Sequence, residues 1–78
     1  MEAGCGVRIR EFGSRRYFYF WHYEQVEGRS VRRDEYVGPV RSSRAREETL
    51  HRVAAHFRRL EQDLARRRVR IERIVSQA

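Results

Sequence analysis

The chain has 78 residues and a formal net charge of +7 at pH 7, and its 18 basic residues are all arginine. A single domain of this size buries a limited share of its surface, so we expect contacts with partners to add to its stability. A strongly basic chain favours polyanions or acidic surfaces as partners, and the planar guanidinium group suits phosphates and aromatic rings. Cys5 is the single cysteine, which excludes a disulfide within the chain.

The sequence shows neither the apolar run of a signal peptide nor a segment that approaches membrane-spanning length. We therefore expect a cytoplasmic protein that does not bind a membrane, and one associated with the nucleoid if it binds DNA. The high charged fraction, 37% of the residues, would also suit a thermophile.

The first predicted strand covers residues 6–12, where apolar and basic residues alternate. Val7 and Ile9 fall on one face of such a strand, whereas Arg8 and Arg10 fall on the other. A glycine and a serine follow directly and indicate a turn.

An aromatic strand comes next, with phenylalanine, tyrosine or tryptophan at six of the seven positions from Tyr17 to Tyr23. Alternation divides the strand into a face that we interpret as core and a face of rings with polar tips. Rings of the second kind suit a surface on which a ligand stacks or which stays partly solvated. The core face comprises Phe18, Phe20 and His22, and the polar-tipped face comprises Tyr17, Tyr19, Trp21 and Tyr23.

A third strand is predicted over 30–37, after a hairpin at Glu27 and Gly28 where glycine supplies the positive φ of a tight turn. We expect Gly38 and Pro39 to close the sheet, because proline cannot continue a hydrogen-bonded ladder. The predicted sheet, 5–40, is therefore antiparallel and three-stranded.

From Ser42 or Ser43, either of which can cap a helix, the apolar period changes to alternating steps of three and four. This pattern predicts one long helix, from about Arg44 to about Ser76, with its apolar stripe interrupted at Arg67. The stripe consists of Leu50, Val53, Phe57, Leu60, Leu64, Ile71 and Ile74. The predicted fold is a single α+β domain, 1–78, of order β-β-β-α, with the helix over 43–76.

Such a helix is about 50 Å long, roughly twice what a small three-stranded sheet covers. Half of the apolar stripe is then left over, and we expect a second copy or another protein to cover it. The predicted oligomer interface comprises Leu60, Leu64, Ile71 and Ile74, and the predicted state is a homodimer. The alternative is a helix that breaks at 66–68 and folds back.

The arginines and polar-tipped rings of the sheet favour nucleic-acid binding, because guanidinium groups grip phosphates while rings stack on bases or pack against sugars. A small sheet can also lie in the major groove of DNA and read base edges with arginine, so we expect DNA rather than RNA. The candidate nucleic-acid-binding residues are Arg8, Arg10, Arg15, Arg16, Tyr17, Tyr19, Trp21, Tyr23, Arg29, Arg32 and Arg33. Either Arg32 or Arg33 faces the rings, depending on the register of the third strand.

Two alternatives stay open. The tyrosine face can instead pack against protein, since tyrosine and tryptophan are enriched at interfaces, and the chain is then an accessory subunit of a larger assembly such as a ribosome or polymerase. A transcriptional regulator or toxin–antitoxin component is a variant of the DNA-binding hypothesis.

Catalysis is not indicated, because the acidic residues are scattered and no glycine-rich phosphate loop or serine nucleophile motif occurs. His22 is interpreted as a core histidine. His51 and His56 are five residues apart on the helix, which is unsuited to a shared metal ion. We expect no enzyme activity, metal, cofactor or small-molecule substrate.

The segment YFYFWHYEQVEGRSVRRDEYVGP resembles a pattern of aromatic strand, glycine hairpin and basic strand found in small archaeal and bacterial proteins and near the amino termini of some recombinases and transposases. Over about residues 7–60 the order of elements is similar to the DNA-binding domains of the integrase-arm and AP2 type. The resemblance implies a sheet presented to DNA with the helix packed behind it. The longer helix here favours a stand-alone binding protein over a recombinase.

Overall fold

The computed structural model describes residues 4–78, and residues 1–3 of the predicted domain lie outside the described part. The elements are β1 (Cys5–Phe12), β2 (Arg15–Val26), β3 (Arg29–Pro39) and α1 (Ser43–Gln77). The strands form one antiparallel sheet in the order β1-β2-β3. The predicted α+β fold, a three-stranded antiparallel sheet followed by one long helix, is confirmed.

The register between β2 and β3 is fixed by a two-residue turn. Glu27 and Gly28 have φ angles of 51° and 79°. Positive φ at both central positions is the geometry of a type I′ turn, whose twist matches that of the flanking strands. Val26 therefore pairs directly with Arg29, and the pairing of the rest of the hairpin follows from this contact.

A β-bulge interrupts this pairing near the end of β3. Tyr19 pairs with Tyr36, but Phe18 pairs with Gly38, so Val37 is the additional residue. The bulge moves Gly38 to the side of the sheet that faces the helix, where it is buried. This position brings the backbone of β3 close to the start of α1.

As predicted, Gly38 and Pro39 close the sheet, because β3 ends at Pro39. The strand runs two residues beyond its predicted end at residue 37, and Pro39 still pairs with Tyr17. β3 is an edge strand, and a proline is tolerated there since its missing N–H removes no ladder bond on the open side.

The helix begins with Ser42 as its N-cap, and Ser42 Oγ accepts a hydrogen bond from the backbone N of Ala45 at 3.2 Å. Of the two possible capping serines, Ser42 is therefore the one used. The helix is continuous to Gln77, so the alternative with a break at 66–68 does not occur.

The first part of α1 packs on the sheet through small and polar residues. Ala45 and Thr49 are buried, and the ring of His56 meets that of Phe20, which is 4% exposed, edge-on at 6.2 Å. Close approach is possible because Gly38 has no side chain: a Cβ there would lie 2.8 Å from that of Ala45.

This packing corrects the expectation that the early half of the apolar stripe covers the sheet. Leu50 is 69% exposed and Phe57 is 48% exposed. The contact of Gly38 with Ala45 fixes the rotation of α1, so the small residues face the sheet and much of the stripe does not.

The carboxy-terminal part of α1 extends away from the sheet. Every residue after Asp63 is exposed. The Cα atoms span 62 × 27 × 12 Å with a radius of gyration of 17.1 Å, compared with about 12 Å for a compact domain of this length.

Candidate nucleic-acid interface

The sheet has one face against the helix and an opposite face, which we call the outer face. Paired residues of antiparallel strands share a face, so Arg8 lies with its partner Tyr19, and Arg32 lies with its partner Tyr23. The outer face comprises Gly6, Arg8, Arg10, Phe12, Arg15, Tyr17, Tyr19, Trp21, Tyr23, Gln25, Ser30, Arg32, Asp34, Tyr36 and Pro39.

The rings of the outer face contact one another across all three strands. Tyr36 lies between Tyr17 and Tyr19, with centroid distances of 5.8 and 5.7 Å, and Phe12 lies 6.0 Å from Tyr17. Phe12 and Tyr36 remain half exposed, whereas Tyr17 and Tyr19 are partly covered. The result is a continuous aromatic surface of tilted and edge-on pairs.

Arginines lie directly on this aromatic surface. The guanidinium carbon of Arg10 lies 5.2 Å from the centroids of both Phe12 and Tyr19. That of Arg32 lies 4.7 Å from the centroid of Trp21. Stacking of this kind orients the guanidinium plane and leaves the N–H groups at its rim to donate to acceptors, as Arg32 does to Asp34 at 3.5 Å.

Trp21 lies over the backbone of β1. A Cβ added to Gly6, its partner in the strand pairing, would come within 2.5 Å of the indole ring. The absence of a side chain at Gly6 therefore allows the ring to lie flat on the sheet.

Charges are separated between the two faces of the three described strands. The outer face carries four arginines, Arg8, Arg10, Arg15 and Arg32, against one carboxylate, Asp34. The helix-facing side carries equal numbers of both signs, namely Arg16, Arg29 and Arg33 with Glu11, Glu24 and Glu35. The positive potential of the sheet is consequently concentrated on the aromatic side.

Several of the helix-side charges are paired. Arg33 donates to Glu24 at 3.1 Å, and Arg16 lies 3.6 Å from Glu11. Glu35 accepts from Arg52 of the helix at 3.3 Å, which links β3 to α1.

The structure thus sorts the predicted site residues. It brings together Arg8, Arg10, Arg15, Tyr17, Tyr19, Trp21, Tyr23 and Arg32 on the outer face. Arg16, Arg29 and Arg33 alternate onto the helix-facing side, so the register selects Arg32 over Arg33. Arg16 nevertheless lines an open cleft at the strand ends together with Arg15 and Arg41.

Sequence reasoning missed two rings of the aromatic surface, Tyr36 and Phe12. The pairing that a two-residue turn imposes, counted from Val26 and Arg29, was the signal that could have placed Tyr36. Phe12 follows from the alternation already used for Arg8 and Arg10.

The helix-facing side holds a polar cluster around His22. His22 stacks on Phe20 at 5.4 Å and its Nε2 lies 2.9 Å from Glu35 Oε1, as expected of a core histidine with a partner. Among residues 4–78, no group of three or more histidine, cysteine or acidic side chains is arranged to hold a metal ion. Partial burial raises the pKa of the nearby Cys5 thiol.

Within the described chain, no helix has both the length and the apolar character needed to cross a membrane. Comparison of the sequence and structure with protein-family models, curated proteins and solved structures gives no match. The geometry of the outer face is therefore the basis on which a function is argued.

Proposed function

We propose that this protein binds duplex DNA through the outer face of its sheet, as a non-enzymatic protein that acts as a homodimer. The observation that carries the proposal is the separation of charge, with four arginines against one carboxylate on the aromatic face of the strands. Arginines concentrated on one face attract the phosphate backbone and release its counterions. A protein with this function would act in the cytoplasm, in association with the nucleoid.

The positions of the guanidinium groups favour a duplex over a single strand. Single strands are bound chiefly by stacking of unpaired bases on open rings. Here Arg10 already lies over Tyr19, and Arg32 already lies over Trp21. In our proposal the arginines that lie on the rings contact phosphates or the guanine edges of a major groove.

DNA is favoured over RNA because the two duplexes differ in groove shape. The major groove of B-form DNA is about 12 Å wide and admits a β-ribbon, whereas that of A-form RNA is too narrow for side chains to read. Arg8 and Arg10 lie on one face of the ribbon formed by β1 and β2, and in our proposal these side chains enter the major groove.

The proposal is tested by measuring affinity for duplex DNA, single-stranded DNA and duplex RNA of one sequence over a range of salt concentrations. We expect the tightest binding to duplex DNA, with log affinity falling linearly with log salt at about 0.9 per neutralised phosphate. An affinity that hardly responds to salt would exclude phosphate neutralisation as the driving term.

A matched pair of variants separates the outer face from general basicity. Arg32→Gln removes an outer-face charge that pairs with Asp34, whereas Arg33→Gln removes an adjacent charge that faces the helix and pairs with Glu24. We expect Arg32→Gln to weaken DNA binding and reduce the salt slope by about 1, and Arg33→Gln to change both much less. Equal losses would indicate non-specific attraction to the whole chain.

The exposed rings support a second candidate, an accessory subunit that uses the same face against protein. Tyr36 is 53% exposed within a cluster of aromatic rings, and such rings often anchor protein interfaces. In that case Trp21→Ala should impair assembly and leave nucleic-acid affinity unchanged. The isolated chain should also bind DNA no better than an equally basic protein.

A further inference from the structure

Much of the apolar stripe on α1 is not covered by the protein's own sheet, although Val53 and Leu60 are partly buried. Leu64, Ile71 and Ile74 lie beyond the sheet and are between 62% and 64% exposed. Leu50 and Phe57 are also exposed, although they lie within the part of the helix that packs on the sheet. The exposed members of the stripe therefore extend along most of the helix, from Leu50 to Ile74, and are available to a partner.

The spacing of the stripe is that of a two-stranded coiled coil. Successive members are separated by three and four residues in turn, which defines heptad positions a and d. Position a is occupied by Leu50, Phe57, Leu64 and Ile71, and position d by Val53, Leu60, Arg67 and Ile74. The flanking e and g positions, whose charges set the orientation of such pairs, carry Glu61 and Arg68 at e and Asp63 and Arg70 at g.

We propose that two copies of this chain pair antiparallel through α1, about a two-fold axis between Ala65 and Arg66. The inference deepens the homodimer included in the proposed function, but it does not depend on DNA binding. In this register Leu64 packs against Arg67 of the second copy. Leu60 packs against its Ile71, and Phe57 packs against its Ile74.

Charge complementarity selects this arrangement. In the antiparallel register Asp63 lies beside Arg70 of the second copy, and Glu61 lies beside its Arg68. The two-fold axis repeats each contact, which gives four attractive pairs. Within one helix, Asp63 already pairs with Arg66 and Arg68 with Glu72. Both pairs are exposed and therefore contribute little stability, so they can be exchanged for pairs between the two copies.

The parallel arrangement is electrostatically poorer. In-register parallel helices place identical positions opposite one another, so Arg67 would face Arg67 at the centre of the seam. The antiparallel register instead places each Arg67 against Leu64 of the second copy. Asp63 of either helix is then within reach of Arg67, and within one chain the Asp63 and Arg67 side chains already approach to 3.9 Å. It also moves the two arginine-rich sheets to opposite ends of the pair.

Disulfide trapping in the full chain tests both pairing and direction. In a Cys5→Ser background, we compare Leu60→Cys, Ile71→Cys and the double variant after mild oxidation. The antiparallel register brings residue 60 of one copy to residue 71 of the other, so only the double variant should form a covalent dimer. Covalent dimers from both single variants indicate parallel helices and overturn the proposal.

Light scattering of the unmodified chain and a charge exchange provide a second measurement that does not alter the apolar seam. We expect a dimer at micromolar concentration, and we expect Asp63→Arg to weaken dimerisation at least tenfold. Adding Arg70→Asp to Asp63→Arg should restore it, whereas adding Arg68→Asp should not, because Arg68 is the partner of Asp63 only in parallel pairs. A monomeric unmodified chain, or rescue by Arg68→Asp alone, overturns the proposal and leaves the DNA-binding test unaffected.

Discussion

The guanidinium group of Arg32, on an edge strand, lies on the indole ring of Trp21, on the central strand, at 4.7 Å from its centroid. The same indole approaches the backbone of Gly6 on the other edge strand. One ring thereby connects all three strands on the outer face. Its position depends on the cation of β3 and on the absence of a side chain in β1.

Gly6→Ala should displace the indole ring. The new Cβ would lie 2.5 Å from Trp21, too close to be accommodated without movement, and overpacking of this kind costs about 1–3 kcal/mol of unfolding free energy. Trp21 is the single tryptophan, so its emission spectrum reports the change directly. Gly4→Ala is the matched control, because its Cβ would lie 4.0 Å from the same ring. An unchanged emission spectrum for Gly6→Ala contradicts the flat placement of the indole.

Gly38→Ala should push α1 away from the sheet, because its Cβ would lie 2.8 Å from that of Ala45. We expect a loss of about 1–3 kcal/mol, measured by urea unfolding. Ala45→Gly alone should cost about 1 kcal/mol through helix propensity. The double variant, Gly38→Ala with Ala45→Gly, should lose less stability than the two single losses added together, because it has no Cβ at residue 45 for the new Cβ at residue 38 to meet. Strict additivity would show that the two residues do not limit the approach of the helix.

Ser42→Ala should destabilise the protein by about 1 kcal/mol, because it removes the acceptor for the backbone N–H of Ala45. Ser43→Ala is the control, since Ser43 is exposed and lies inside the helix. We expect it to change the unfolding free energy by only a few tenths of a kcal/mol. Both changes are measured by thermal unfolding followed by circular dichroism. A larger loss of stability for Ser43→Ala than for Ser42→Ala would show that Ser43, rather than Ser42, caps the helix.

Glu27→Asn should stabilise the hairpin between β2 and β3. Glu27 has a φ of 51°, a conformation that costs a residue of this type on the order of 1 kcal/mol and that asparagine adopts more readily. Glu27→Gln is the control, because it removes the charge but does not add the preference of asparagine for positive φ. It therefore separates the effect of charge from that of backbone conformation. If both variants raise the melting temperature equally, charge rather than backbone conformation is the cause.

The thiol of Cys5 should ionise at a higher pH in the folded chain than in the unfolded chain. Burial disfavours the thiolate and raises the pKa above its ordinary value of 9.0. Folding stability linked to this group is thus present below pH 9 and decreases as the pH rises above it. The midpoint of the pH dependence of iodoacetamide alkylation, compared with and without urea, measures the shift, and identical midpoints would show that the thiol is not desolvated.

Alternation along the strands predicted the two faces of the sheet, because successive residues of a strand point to opposite sides and one side must face the helix. It could not choose between Arg32 and Arg33, since that choice requires the exact turn, which Glu27 and Gly28 determine. The bulge at Val37 was equally hidden, because it depends on the fit between strand and helix rather than on any local pattern.

The heptad spacing predicted the continuity of α1 but not its rotation. A periodic stripe is ordinarily assigned to the core, yet Leu50 is exposed and Thr49 is buried. The rotation is set by the close contact of Gly38 with Ala45, two small residues that carry little signal in a hydrophobicity pattern.

The extended helix affects how the mass of this protein can be measured. A radius of gyration of 17.1 Å is that of a compact chain of about 220 residues, nearly three times the actual number. A single copy will consequently leave a gel-filtration column earlier than a globular protein of the same mass. Elution volume therefore gives a false stoichiometry for this molecule, whereas scattering intensity or sedimentation equilibrium, which do not depend on shape, give the true one.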